Sequence, residues 1–97
     1  MAARGGYAGC VTSVALTLIG KPGCHLCDDA RGVITGVMAE LDGGPEITLS
    51  ELSILDDDEL HEKYVDEIPV VLLNGRVHNI WRVDPARLRA AILDAGR

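Results

Sequence analysis

Residues 14–19 constrain the fold more than any other stretch of this chain. Val14, Leu16 and Leu18 alternate with Ala15, Thr17 and Ile19. A β-strand sends successive side chains to opposite faces, so this strand is largely apolar on both. That is the pattern of a central strand covered by helices on both faces, and it points to a layered α/β architecture. Gly20-Lys21-Pro22-Gly23 breaks the strand. The chain has 97 residues, which suits one domain. With Tyr7, Tyr64 and Trp81 as its only aromatics, its core must be aliphatic.

The period then changes from two to that of a helix. From Leu26 the apolar positions are Ala30, Val33, Ile34, Val37, Met38 and Leu41, which form one buried stripe. Asp28 and Asp29 stand in the first turn, where the helix dipole favours anions. Gly32 and Gly36 weaken the helix; their spacing either lets it lie close to the sheet or is simply tolerated. Asp42-Gly43-Gly44-Pro45 ends it. Residues 47–50 alternate as a second strand. The acidic run Asp56-Asp57-Asp58-Glu59 opens a short helix with Leu60 and Tyr64 inward. Residues 70–73 read as a third strand and residues 76–80 as a fourth, joined by an Asn74-Gly75 hairpin turn in which both residues tolerate positive φ. Asp84 caps the last helix, Pro85 occupies its first position, and Val83 and Leu88 form a hydrophobic staple. The order is β-α-β-α-β-β-α. A right-handed crossover makes the first two strands parallel, and the hairpin adds an antiparallel edge to a four-stranded mixed sheet.

Cys24-His25-Leu26-Cys27 falls between the first strand and the first helix. A Cys-x-x-Cys pair in a β-α-β setting reads as a redox pair. Unpaired N–H groups at the helix start stabilise the Cys24 thiolate, the form that attacks a disulfide. The two intervening residues bend the chain so that Cys27, deeper in the helix, reaches the mixed disulfide. Lys21 and His25 add positive potential near Cys24, which Asp28 and Asp29 oppose.

The chain resembles the thioredoxin-like superfamily, and within it the small dithiol glutaredoxin-like proteins. The resemblance runs from Val14 to about Ala95. It rests on residues 20–27, on Ile68-Pro69-Val70, and on the hairpin and last helix. It implies a glutaredoxin-type fold in which Pro69 is cis and faces the cysteines, while the backbone of Ile68 pairs with an extended peptide or glutathione. It further implies thiol–disulfide exchange on a disulfide-bearing protein or small thiol, with Cys24 attacking and Cys27 resolving. Lys21, His25, Ile68 and Pro69 are the expected substrate contacts. No tightly bound cofactor is expected; glutathione or another low-molecular-weight thiol, or a thioredoxin-type reductase, would recycle the dithiol. Two features depart from the dithiol glutaredoxins. His25-Leu26 replaces the usual Pro-Tyr or Pro-Phe, and residues 79–84 lack the Gly-Gly pair that opens the glutathione carboxylate site.

The net charge of −6 argues against nucleic acid, because phosphate binding needs clustered Lys and Arg. No apolar run reaches the length of a membrane span. Ala8-Gly9-Cys10 resembles a lipoprotein cleavage site but has no apolar core upstream. Residues 1–13 read as a flexible tail ahead of a domain over residues 14–97, with Cys10 an incidental thiol. A cytoplasmic monomer is the expected state. Two other readings stay open. One is a metal-binding or iron–sulfur protein, for which Cys10, His25, His61 and His78 show no second paired spacing. The other is a binding module that holds a partner strand without turnover. His61 and His78 are expected to face solvent, and Trp81 to act mainly as a lid on the core near the last helix, with a wall of the substrate groove as its other reading.

Overall fold

A computed structural model describes residues 13–96. Cys10 and the tail expected ahead of the domain lie outside the described residues, except Ser13, which already belongs to the first strand. The elements follow the expected order: β1 (Ser13–Gly20), α1 (His25–Glu40), β2 (Glu46–Ser53), α2 (Asp58–Tyr64), β3 (Val70–Leu73), β4 (Arg76–Ile80) and α3 (Pro85–Ala95). The sheet order is β2-β1-β3-β4. β1 and β2 are parallel from the Ser13–Glu46 pair to the Gly20–Ser53 pair. β3 runs antiparallel to β1, and β4 antiparallel to β3 with a bulge at Val71/Leu72.

The local signals act as their chemistry requires. Asn74 and Gly75 both take positive φ, 52° and 84°, in the hairpin turn. The Asn74 side chain also accepts the Ala15 N–H at 2.9 Å, and its own N–H donates to the Ala15 carbonyl at 2.8 Å. The turn thereby clasps the outer part of β1. Asp57 and Asp84 cap α2 and α3, each accepting two backbone N–H groups.

β2 is longer than the apolar alternation suggests because Glu51 extends the strand while pointing its carboxylate at Arg31. Gly32 and Gly36 are exposed, and nothing lies within 4 Å of where a Cβ would stand. They do not bring α1 closer to the sheet; they are tolerated on its outer side.

The core is divided by the sheet. α1 and α3 cover one face with Val14, Leu16, Leu18, Ile34, Val71 and Leu88 at its centre, all at most 1% exposed. The other face carries a smaller cluster of Ile19, Ile54, Tyr64 and Val70 beneath α2. There the expectation of cover on both sides holds only in part. Ala15 is exposed and Thr17 half-buried. α2 has seven residues, about 10 Å of helix, against about 26 Å for the eight residues of β1. It covers only the end of the sheet from which the Cys24–Cys27 loop leaves.

Candidate functional site

The loop from β1 into α1 presents the cysteines. Gly23, at φ +75°, turns the chain so that Cys24, in extended backbone, becomes the N-cap of α1. The Cys24 Sγ accepts the Cys27 N–H at 3.2 Å, and the Cys24 carbonyl accepts the Asp28 N–H at 3.0 Å. The sulfur therefore sits where the positive end of the helix dipole and its unpaired N–H groups converge. Cys24 is half-buried, whereas Cys27 is 1% exposed. The two are joined as a disulfide pair with Cα atoms 5.2 Å apart. One sulfur is thus reachable from outside and the other is shielded behind it.

Gly20 makes this placement possible, and nothing in the sequence pattern marks it for that role. A Cβ built on Gly20 would lie 2.7 Å from the Cys27 Sγ and 3.2 Å from its Cβ. The end of β1 must lack a side chain for Cys27 to pack against it. Gly20 also receives the Ile54 N–H on its carbonyl at 2.9 Å, so its backbone is held in place.

The other expected contacts divide into two groups. Lys21 is exposed and lines a cleft of about 250 Å³ together with Gly20, Cys27, Arg31, Glu51 and Asp56. His25 is exposed at the first position of α1. On the far side of β1, Pro69 follows a cis peptide bond from Ile68, as the resemblance implied, and is fully buried. Ile19 pairs with Val70, which puts Gly20 and Pro69 at the same end of the sheet. Ile68 is half-buried against the Ile19–Tyr64 cluster, and its N–H donates to the Tyr64 carbonyl at 3.1 Å.

The carboxylates beside the site are partly neutralised. Arg31 donates to Glu51 at 2.9 Å and to Asp28 at 2.8 Å, tying α1 to β2 along the cleft. These hydrogen bonds, from Glu51 first and Asp28 second, raise the Arg31 pKa further above its ordinary value. Asp28 is thus paired rather than aimed at Cys24, while Asp29 is exposed. Among the described residues no group of three His, Cys, Asp or Glu side chains could hold a metal ion. His61 is exposed as expected. His78 is not: it is half-buried, and desolvation, followed by the nearby Arg87 charge, lowers its pKa from 6.5.

Trp81 departs from the main expectation for it, a lid on the core. It is 53% exposed and does not close the core. Its N–H donates to the Pro69 carbonyl at 2.8 Å and its indole N–H to the Asp66 carbonyl at 3.2 Å, so it stands beside the proline loop. Its position in the fold, directly after the strand that pairs with β3, carries no sequence motif that would have announced this.

Comparison with known proteins agrees with this geometry. The sequence pattern of the glutaredoxin-like domain matches residues 15–93. An uncharacterized protein of Mycobacterium tuberculosis strain H37Rv is 32% identical over 78 residues, covering 77% of this chain and 78% of that protein. A structural-genomics protein from X. campestris, solved by X-ray crystallography, superposes with a TM-score of 0.64 at 35% identity, covering 84% of this chain and 99% of that one. A thioredoxin mutant from Halobacterium salinarum superposes with a TM-score of 0.60 at 17% identity, covering 87% of this chain and 75% of that one. That last likeness shows a shared thioredoxin-like fold.

Proposed function

The chain belongs to the glutaredoxin-like domain family, and from that membership and the cysteine geometry we propose that it is a thiol–disulfide oxidoreductase. The observation that carries the reading is the unequal placement of the pair: Cys24 is half-buried on the helix N-cap and Cys27 is sealed behind it. A redox pair needs that asymmetry, because one sulfur must meet the substrate while the other waits.

In the proposed cycle the Cys24 thiolate attacks one sulfur of a substrate disulfide. A bond forms between Cys24 and that sulfur, and the other substrate sulfur leaves as a thiolate that takes up a proton. Cys27 then loses its proton and attacks the Cys24 sulfur, expelling the second substrate thiol. Two thiols are oxidised and one disulfide is reduced, so two electrons and two protons change hands. The N-terminal end of α1 favours the thiolate at Cys24. A low-molecular-weight thiol such as glutathione, or a thioredoxin-type reductase, would return the pair to the dithiol. Lys21 and His25 would contact the substrate from the α1 side, and the Ile68 carbonyl and Pro69 from the sheet side. We place this activity in the cytoplasm and in a monomer; no described helix is long and apolar enough to cross a membrane.

The test is thiol trapping across dithiothreitol ratios in a Cys10→Ser background, so that only the pair titrates. A reversible two-electron transition between about −180 and −280 mV is expected. Cys24→Ser should abolish disulfide reduction, and Cys27→Ser should accumulate the mixed disulfide on Cys24. Full reductase activity in the Cys24→Ser chain, or no intramolecular disulfide at any ratio, would overturn the reading.

A further inference from the structure

Trp81 holds a backbone conformation that a bulky residue rarely adopts. Its φ is +66°, and the Arg82 N–H closes back onto the Ile80 carbonyl at 2.9 Å. That bond spans three residues and makes Trp81 the centre of a γ-turn of positive φ, a rare and strained form. Strain of this kind persists only where surrounding contacts hold it. Here they are identifiable. The Trp81 N–H bonds to the Pro69 carbonyl and the indole N–H to the Asp66 carbonyl. The Asn79 side-chain amide donates to the Arg82 carbonyl just beyond the turn, while its buried Oδ1 is left without a partner. The chain thus accepts a strained turn and an orphaned acceptor, yet leaves the indole half in solvent.

The side chain those costs hold in place faces a cleft of about 200 Å³. Ala30, Val33 and Val83 line it, and its other exposed apolar wall is Leu26, 39% exposed, which lies between the two cysteines. The cleft runs from Leu26, between the cysteines in sequence, to Trp81, whose two N–H groups are bonded to carbonyls of the proline loop. Its charged rim consists of one carboxylate, Asp29, and one cation, Arg82, so it carries no net charge. A largely apolar lining with a balanced rim favours an uncharged side chain as its occupant.

We propose that Trp81 and Leu26 are specificity-determining residues that select polypeptide disulfides bearing an apolar side chain next to the reacting cysteine. This rests on the oxidoreductase reading above and names its substrate class. The peptide would lie across the site, with its apolar side chain between the indole and Leu26 and its backbone within reach of the Ile68 carbonyl. Trp81 acts by contact with the substrate and takes no part in electron transfer.

The experiment uses the full reduced chain in the Cys10→Ser background and two peptides. Each carries one cysteine as a mixed disulfide with 2-mercaptoethanol; they differ only in having leucine or serine on either side of it. Single-turnover rate constants should favour the leucine peptide by about tenfold, the discrimination expected of an apolar pocket. Trp81→Gly, which suits the positive φ and removes the ring, should bring that ratio to within about twofold; Trp81→Phe should keep most of it. A wild-type ratio near one, or a ratio unchanged in Trp81→Gly, would overturn the proposal. Because Trp81 is the only tryptophan, its fluorescence gives a second readout without chemistry. In the Cys24→Ser chain, the leucine peptide with serine in place of its cysteine should shift the emission to the blue, and its serine counterpart should not. Equal response to both would also overturn the proposal. Failure of the oxidoreductase reading looks different: neither mixed disulfide would be reduced, while a leucine-dependent blue shift would still support selective binding at Trp81.

Discussion

The two faces of the sheet are built unequally. Under α1 and α3, residues from four elements close over one another: Val14, Leu16, Leu18, Ile34, Val37, Val71, Leu88 and Ile92 are each at most 2% exposed. Under α2 the buried set is only Ile19, Ile54, Tyr64 and Val70, and Ala15, Thr48 and Ser50 of the same face lie open. The sealed face carries the bulk of the apolar burial, which is the main source of stability. The thin face lies where the chain approaches Pro69, and its few contacts hold the proline loop rather than the whole sheet. The sealed face thus carries both most of the stability and, on α1, the cysteine pair, while the thin face supports the proline loop, with Gly20 where β1 meets Cys27.

Three substitutions test that division. Ile34→Ala, at the centre of the sealed face, should cost about 2–5 kcal/mol in urea unfolding, because its cavity cannot collapse. Ile54→Ala, on the thin face, should cost near the lower end, about 2 kcal/mol, since that cluster borders solvent and relaxes. Equal losses would break the comparison. Native-state hydrogen exchange sharpens it: amides of α2 should open at lower free energy than those of α1. Where β1 meets Cys27, Gly20→Ala forces a methyl into that side chain and should cost about 1–2 kcal/mol as overpacking. It should also slow formation of the Cys24–Cys27 disulfide, measured by thiol trapping; unaltered kinetics would mean Cys27 shifts freely.

The smaller effects lie at the margins of the sealed face. Gly36→Ala, on the outer side of α1, should stabilise by about 0.5–1 kcal/mol, because alanine loses less backbone entropy and has space to occupy. A destabilised Gly36→Ala would show that the glycine has a packing role after all. His78 is half-buried with its pKa held below 6.5. Its neutral form is favoured in the folded chain, so its contribution is present above pH 6.5 and is lost as pH falls through the lowered folded pKa. His78→Gln should flatten that part of the stability–pH curve, by the smallest amount of any change here.

Periodicity and punctuation made most of the architecture legible. The double-faced run at residues 14–19, the stripe from Ala30 to Leu41, the Asn74-Gly75 turn and the Asp84-Pro85 cap each encode their element locally, because dihedral preference and side-chain period act over a few residues. The Cys24–Cys27 spacing beside a strand end was enough to locate the candidate site. Less local facts were invisible. The end of β2 was hidden because Glu51 breaks the apolar alternation, yet the strand continues along β1 and its carboxylate meets Arg31, twenty residues away.

The sequence by itself therefore determined the order and type of the elements, the position of the cysteine pair at a helix start, and the composition of an aliphatic core. Those follow from short-range sterics, hydrogen bonding and hydrophobic period. Only the tertiary structure decided that α2 is too short to cover its face, that Gly20 must be bare for Cys27 to fit, and that Trp81 stands beside the proline loop instead of over the core. Each depends on distances between segments far apart in the chain, and no local pattern of residues records a distance across the fold.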